Sequence, residues 1–137
     1  MEKMRFKKSN FEIPPEIFKE MQGKKIEYCE NKSMKISFPI MEKYNNPARK
    51  MFGGMIAAAF DNTFGTFSYE MLKKACTTLE LNTSFIRPTD TNDKELIVEV
   101  FLISNTKTQL ILEGKAHNPD GKLIAVCKTR MMILDGF

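Results

Sequence analysis

The sequence predicts an α+β domain in which a long antiparallel sheet curls around one buried helix. Residues 52–69, FGGMIAAAFDNTFGTFSY, are helix-length, carry apolar residues on nearly every side and lack strand-like alternation. Four strand-length segments rich in Val, Ile, Leu, Phe and Thr follow this helix. A sheet that wraps around a wholly apolar helix buries both elements, although periodicity alone would also fit a generic α+β domain.

Before this helix, the chain predicts a short helix, a hairpin and a loop. Residues 14–23 begin with two prolines and end in a glycine, as a short amphipathic helix does. Residues 24–29 and 34–40 predict two strands, and the second alternates apolar with mostly polar residues. The Asn-Asn-Pro content of 44–51 predicts a loop.

After the helix, the chain changes to strand periodicity. The predicted strands are 77–86, 95–104, 108–117 and 122–134, joined by polar links at 87–93, 105–107 and 118–121. Links this short require antiparallel pairing of successive strands.

Length and composition indicate one ordinary globular domain. The chain has 137 residues, 42% apolar and 28% charged, and we expect a single domain over 1–137 with an extension and short helix at 1–23. Three widely spaced cysteines and one histidine predict neither a disulfide framework nor a zinc site. His117 is expected to be a surface residue at a strand end.

The charge pattern and the missing targeting signals limit the partners. The basic N-terminus lacks the apolar run of a signal peptide, and no stretch approaches the roughly 18 apolar residues of a membrane span, so we expect a cytoplasmic protein without a membrane partner. The net charge of +4 is spread along the chain, which argues against nucleic-acid binding. It fits a solvated surface or an anionic substrate.

Asp61 is the first candidate for chemistry. It is the only acidic or basic residue between Lys50 and Glu70, and it lies in the middle of the predicted buried helix. An unpaired buried carboxylate is costly and is tolerated mostly where it is solvated or used. Asp61 is therefore a general base or nucleophile, or a structural aspartate that faces a solvent gap or caps a backbone break.

The paired glycines Gly53 and Gly54 are the second candidate. They stand where the helix begins, so their backbone N–H groups have no intrahelical partners and a ligand can approach them closely. Such a helix start favours an anion or a developing oxyanion. The plainer reading is a glycine pair that only lets the loop turn tightly into the helix.

Further residues stand in a recognisable order around Asp61 and the glycine pair: Asn46, 52–54, Thr78, Glu80, Asn82, Phe85, 87–88 and 119–125. Together they resemble the phenylacetic-acid-degradation (PaaI-like) branch of the hot-dog acyl-CoA thioesterases, over about two thirds of the chain. The resemblance implies the hot-dog fold, with Asp61 as the catalytic carboxylate and the Gly54 N–H as the donor to the thioester carbonyl. It further implies that Asn46 orients the reacting groups and Thr78 positions water.

The sequence departs from this family at Phe52, where the family usually has a histidine that assists the carboxylate. Phenylalanine cannot hydrogen-bond through its side chain. A protein that binds acyl-CoA or another lipid without hydrolysing it is therefore the main alternative. A hot-dog dehydratase fits less well, because it needs a catalytic histidine and His117 is badly placed. The predicted substrate-binding residues are Phe52, Gly53, Met55, Asn82 and Arg87.

Spacing on the helix predicts assembly. Gly54 and Asp61 are seven residues apart, about 10 Å along a helix axis, which is too far for both to engage one thioester carbon. A shared site is therefore expected, with Gly54 of the partner subunit facing Asp61 in a homodimer or a dimer of dimers. We expect no metal and no cofactor apart from coenzyme A as part of the substrate.

Overall fold

The computed structural model describes residues 4–5 and 12–135. Of the predicted N-terminal extension over 1–23, residues 1–3 and 6–11 therefore lie outside the described residues. The elements that lead into the main sheet are a two-stranded ribbon of β1 (Met4–Arg5) and β2 (Glu12–Ile13), and the helix α1 (Glu16–Glu20). The main sheet and its helix comprise β3 (Lys24–Cys29), β4 (Ser33–Pro39), α2 (Gly53–Leu72), β5 (Cys76–Phe85), β6 (Glu95–Asn105), β7 (Gln109–His117) and β8 (Leu123–Ile133).

The six main strands form one antiparallel sheet in the order β3-β4-β6-β7-β8-β5. The chain leaves the sheet after β4, runs through α2 and returns at the opposite edge as β5, beside β8. Short links join neighbouring strands in β3–β4, β6–β7 and β7–β8, whereas the link after β5 carries the chain from the sheet edge to β6 in its interior. The expected pairing of successive strands is therefore wrong for β5 and β6, because β5 pairs with β8 and β6 pairs with β4 and β7. The predicted curved antiparallel sheet around one long helix is confirmed.

The core lies between α2 and the concave face of the sheet. Phe60, Phe64 and Phe67 of α2 have no exposed surface, and burying each ring contributes roughly 1.5–3 kcal/mol. Gly114 of β7 lets the helix approach, because a Cβ added there would lie 3.0 Å from the Phe60 ring. The sheet residues buried against these rings include Met34, Ile36, Phe38, Leu96, Val98, Val100, Leu110 and Leu112.

The α1 segment, residues 13–21, packs against the outer side of this core. The Phe18 ring packs edge-on against Phe38 with their centroids 6.0 Å apart, and Met21 has no exposed surface. The Asn62 side-chain amide of α2 donates a hydrogen bond to the Met21 sulfur at 3.3 Å. This contact places the α1 segment directly beside Asp61.

The predicted elements match the observed ones, with shifted ends. The short helix covers Glu16–Glu20 instead of 14–23, and the long helix covers Gly53–Leu72 instead of 52–69. The ribbon β1-β2 and the 3-10 turns Glu42–Tyr44 and Thr91–Asp93 were not predicted, because two or three residues are too few for a periodic pattern. Among the described residues, neither helix is long and apolar enough to cross a membrane.

Candidate active site

Asp61 and Thr78, both predicted from the sequence, are brought together by the fold. Asp61 is half-buried on the side of α2 that faces away from the sheet core. Thr78, on β5, donates a hydrogen bond from its Oγ1 to Asp61 Oδ1 at 2.7 Å. A hydroxyl that donates to a carboxylate fixes its orientation and leaves the second carboxylate oxygen available for other contacts.

This pair opens into a cavity of about 660 Å³ that runs along α2. The cavity lies within the size range of small-molecule sites, roughly 300–1,000 Å³. Its walls come from α2, from the start of β5 and from the α1 segment. Residues that line it include Ala58, Asp61, Gly65, Tyr69, Ile17 and Cys76.

The glycine pair forms the N-terminus of α2. The N–H groups of Met55 and Ile56 both donate to the Phe52 carbonyl, and no side chain of a described residue caps the helix start. Helix geometry therefore leaves the N–H groups of Gly53 and Gly54 without intrahelical acceptors, at the positive end of the helix dipole. This arrangement can bind an anion.

Two aromatic rings crowd these glycines. A Cβ at Gly54 would lie 3.0 Å from the Phe52 ring, and a Cβ at Gly53 would lie 3.2 Å from the Phe85 ring. Phe52 itself is 54% exposed, and Phe85 is 53% exposed. The described residues that line the Asp61 cavity include neither the two glycines nor the two rings. Within one subunit, the start of α2 therefore lies apart from the Asp61 carboxylate.

Asn46 shapes the loop before α2. Its side-chain oxygen accepts the backbone N–H groups of Ala48 at 2.9 Å and Lys50 at 3.0 Å. Lys50 in turn pairs with Asp90 at 2.8 Å, and this hydrogen bond, with a second from the Asn92 N–H, lowers the pKa of Asp90. Asn46 is absent from the described lining of the Asp61 cavity, and its contacts hold the loop that leads into the glycines.

A β-bulge separates Asn82 from Thr78. The two residues are four apart and would share one face of a regular strand, but the register of β5 against β8 shifts between Thr78 and Glu80. Asn82 is therefore paired with Lys128 on the convex face, away from Asp61, and lines a separate cavity of about 360 Å³.

The remaining two predicted binding residues, Arg87 and Met55, also lie away from Asp61. Arg87 is exposed, and its backbone N–H donates to the Ile124 carbonyl at 3.1 Å. Met55 is half-buried and packs against the core. The described lining of the Asp61 cavity includes neither residue.

Comparison with known proteins identifies the family. The model of the thioesterase superfamily matches residues 50–125, more than half of the chain and the span that contains the helix start, Asp61 and Thr78. The chain belongs to the thioesterase superfamily. Thioester hydrolysis is the activity class of this family, and the prediction of a thioester hydrolase is confirmed at that level. No functionally curated protein matches the sequence significantly.

Solved structures share the hot-dog architecture of this thioesterase-superfamily chain. A phenylacetic acid degradation-related protein from Ralstonia eutropha JMP134 is 24% identical, with a TM-score of 0.80 over 86% of this chain and 89% of that one. The PaaI protein from the phenylacetic acid degradation operon of E. coli is 14% identical, with a TM-score of 0.81 over 90% and 87%. A Streptococcus mutans UA159 protein bound to acetyl-CoA is 13% identical, with a TM-score of 0.76 over 82% and 89%.

Cys76 and Cys127 of this superfamily member are unsuited to nucleophilic roles. Burial raises the pKa of the Cys127 thiol, and the nearby Asp61 charge raises it further, while a Thr83 hydrogen bond acts in the opposite direction. Burial also raises the pKa of Cys76, against a hydrogen bond with Ser68. Both thiols are held in the neutral form, which is the less reactive one.

Sequence reasoning missed most of the cavity wall. The α1 segment folds back on α2, a tertiary contact that no local sequence pattern predicts. It thereby contributes Ile13, Pro14, Pro15, Ile17 and Phe18 to the cavity wall. Gly65 is the exception. A glycine inside an otherwise strong helix costs about 1 kcal/mol relative to alanine, and that cost is a sequence signal that the position has a packing or functional reason.

Proposed function

We propose that this chain hydrolyses acyl-CoA thioesters at a site that two subunits share. The observation that carries the proposal is the Asp61 carboxylate, oriented by Thr78 Oγ1 at 2.7 Å and exposed to a cavity of ligand size. Membership in the thioesterase superfamily supplies the reaction class, and a structural relative binds acetyl-CoA. Coenzyme A enters only as part of the substrate, and the proposal needs no further cofactor or metal.

In the proposed reaction, Asp61 acts on the thioester carbonyl carbon in one of two ways. As a general base it takes a proton from water while the water oxygen attacks the carbon; as a nucleophile its carboxylate oxygen attacks and water then hydrolyses the anhydride. The carbonyl oxygen becomes an oxyanion, which N–H donors at a helix start stabilise. The carbon–sulfur bond then breaks, and the coenzyme A thiolate takes up the proton that Asp61 removed from water. In the nucleophilic route this bond breaks before water hydrolyses the anhydride, and the thiolate takes its proton from solvent.

The shared site rests on distance and on an open sheet edge. Gly54 lies about 10 Å from Asp61 along α2, so the oxyanion donor is assigned to Gly54 of the partner subunit. Within the described residues, β5 pairs with β8 alone and has a second edge free for another chain. Leu79 and Ile86, beside that edge, are 42% and 57% exposed. A homodimer or a dimer of dimers follows from this proposal.

The other predicted site residues take supporting roles in the proposal. Asn46 holds the loop that presents the N–H groups of Gly53 and Gly54. Arg87 and Asn82 are assigned to the coenzyme A portion, because both are exposed and polar and lie away from the carboxylate. Met55 and Phe52 flank the helix start.

Mixed dimers test the shared site directly. Gly54→Pro removes the N–H, and proline is tolerated in the first turn of a helix, whereas Gly54→Ala keeps the N–H as a control. Co-expressed Asp61→Asn and Gly54→Pro subunits should regain up to about half of the wild-type turnover in the mixed dimer, because one of its two sites is then intact. Inactivity of purified mixed dimers would contradict sharing.

A second candidate function is binding of acyl-CoA or another lipid without hydrolysis. Phe52 favours it, because this exposed ring at the helix start replaces a hydrogen-bonding residue with an apolar surface. A thiol-release assay with short, aromatic and long acyl-CoAs separates the two functions. Turnover on any of them supports hydrolysis; tight binding with no released thiol supports the binder.

A further inference from the structure

The cavity beside Asp61 continues as a channel toward the C-terminal end of α2. Its helix wall consists of residues three or four apart, which form one stripe along the helix. Thr78 contacts Asp61, and Cys76 and Thr77 at the start of β5 also line the channel, so β5 runs alongside this stripe. The helix residues that line the channel are Ala58, Asp61, Asn62, Gly65, Thr66, Tyr69 and Glu70.

The wall opposite β5 is apolar and anchored. Ile13, Ile17 and Phe18 contribute to it, and the Asn62–Met21 and Phe18–Phe38 contacts hold this segment in place. At the far end, Glu70 pairs with Lys25 at 3.8 Å. The two opposite charges offset each other there, so the far end favours an uncharged group.

Gly65 keeps the channel open halfway along. A Cβ built on Gly65 would meet no heavy atom of the described residues within 4 Å, so packing within the described part of the chain does not demand glycine. Glycine at this helix-interior position nevertheless costs about 1 kcal/mol relative to alanine. The absence of a side chain at Gly65 leaves space for a bound group, and this space is a reason for glycine at the position despite its cost.

We infer that this channel holds the acyl chain and selects uncharged acyl groups with an extended length of about eight to ten carbons; the inference rests on the proposed function. Asp61 and Tyr69 are eight residues apart, or about 12 Å along the helix. An extended chain advances about 1.3 Å per carbon for C–C bonds of about 1.5 Å, so about nine carbons reach Tyr69. Gly65 lies about 6 Å from Asp61, level with about the fifth carbon.

The test compares kcat/KM for butyryl-, decanoyl- and phenylacetyl-CoA. Wild type should favour decanoyl-CoA over butyryl-CoA by at least about tenfold, since each buried methylene adds to binding. Gly65→Leu should lower this decanoyl/butyryl ratio by at least about tenfold, and Gly65→Ala should lower it less. Lys107→Leu adds the same side chain in the exposed β6–β7 turn and should leave the ratio unchanged.

Three outcomes would contradict the proposed acyl channel. They are a wild-type decanoyl/butyryl ratio of kcat/KM near one, a decanoyl/butyryl ratio that Gly65→Leu does not change, and a preference for phenylacetyl-CoA over decanoyl-CoA. Ile17→Ala serves as a second variant, because Ile17 is 48% exposed and its truncation costs little stability. It opens the wall and should raise the ratio of myristoyl-CoA to decanoyl-CoA hydrolysis.

Binding separates this inference from the proposed function. Decanoyl-CoA and butyryl-CoA are titrated into Asp61→Asn, with and without Gly65→Leu, by calorimetry. If wild type hydrolyses nothing, the proposed function fails, yet tighter binding of decanoyl-CoA that Gly65→Leu abolishes still supports the channel. Equal affinity for both acyl-CoAs in Asp61→Asn overturns the channel even if wild type is active.

Discussion

Thr78→Val isolates the hydrogen bond that orients Asp61. Valine nearly preserves the shape of threonine and removes only the hydroxyl, whose Oγ1 lies 2.7 Å from Asp61 Oδ1. A hydrogen bond to a charged group contributes about 1.5–3 kcal/mol. If this contribution acts in the transition state, kcat/KM should fall by about tenfold to 150-fold.

Thiol release from a good acyl-CoA measures this loss, and Thr78→Ser is the matched control because it keeps the hydroxyl. The serine variant should retain turnover within about threefold of wild type. Asp61 faces a cavity that water can enter, so the melting temperature of Thr78→Val should change by no more than about 5 °C. A valine variant as active as wild type, or a serine variant as damaged as valine, would refute the positioning role.

Three further predictions concern assembly, Phe52 and the cysteines. Light scattering at micromolar concentration should show at least a dimer, and a monomer of 15.8 kDa would contradict the shared site. Phe52→His should keep or raise turnover, whereas inertness of both folded proteins on every acyl-CoA tested would favour the binding function. Because burial raises the pKa of Cys76 and Cys127, both stay protonated at pH 8, and their thiolates form only as pH rises through the raised values. Mass spectrometry of the native protein after iodoacetamide at pH 8 should find the exposed Cys29 modified first; equal labelling of all three would contradict this.

The helix and its carboxylate could be predicted because their signals are local. Eighteen residues with one charged side chain define both the element and the candidate. The end of the helix was less visible, since Glu70 interrupts the apolar run. In the structure Glu70 pairs with Lys25 and Lys73, both at 3.8 Å, and α2 continues until Lys73 adopts a left-handed conformation.

The parts of the site that the sequence did not reveal depend on tertiary contacts and on one irregular strand. The α1 wall exists because Met21 docks on Asn62, 41 residues away in sequence. The bulge in β5 sends Thr78 and Asn82 to opposite faces, although their spacing of four predicts one face. A bulge adds one residue without changing the composition of the strand, so the alternation of apolar and polar residues does not predict it.

Asp61→Asn tests the central claim most directly. The substitution preserves shape but removes the negative charge, so the side chain can neither take a proton from water nor attack a carbonyl carbon. With turnover and melting temperature measured on the same preparation, turnover should fall by about 10² to 10⁴ while the protein stays folded and still binds acyl-CoA. A stable Asp61→Asn protein with wild-type turnover would contradict the account.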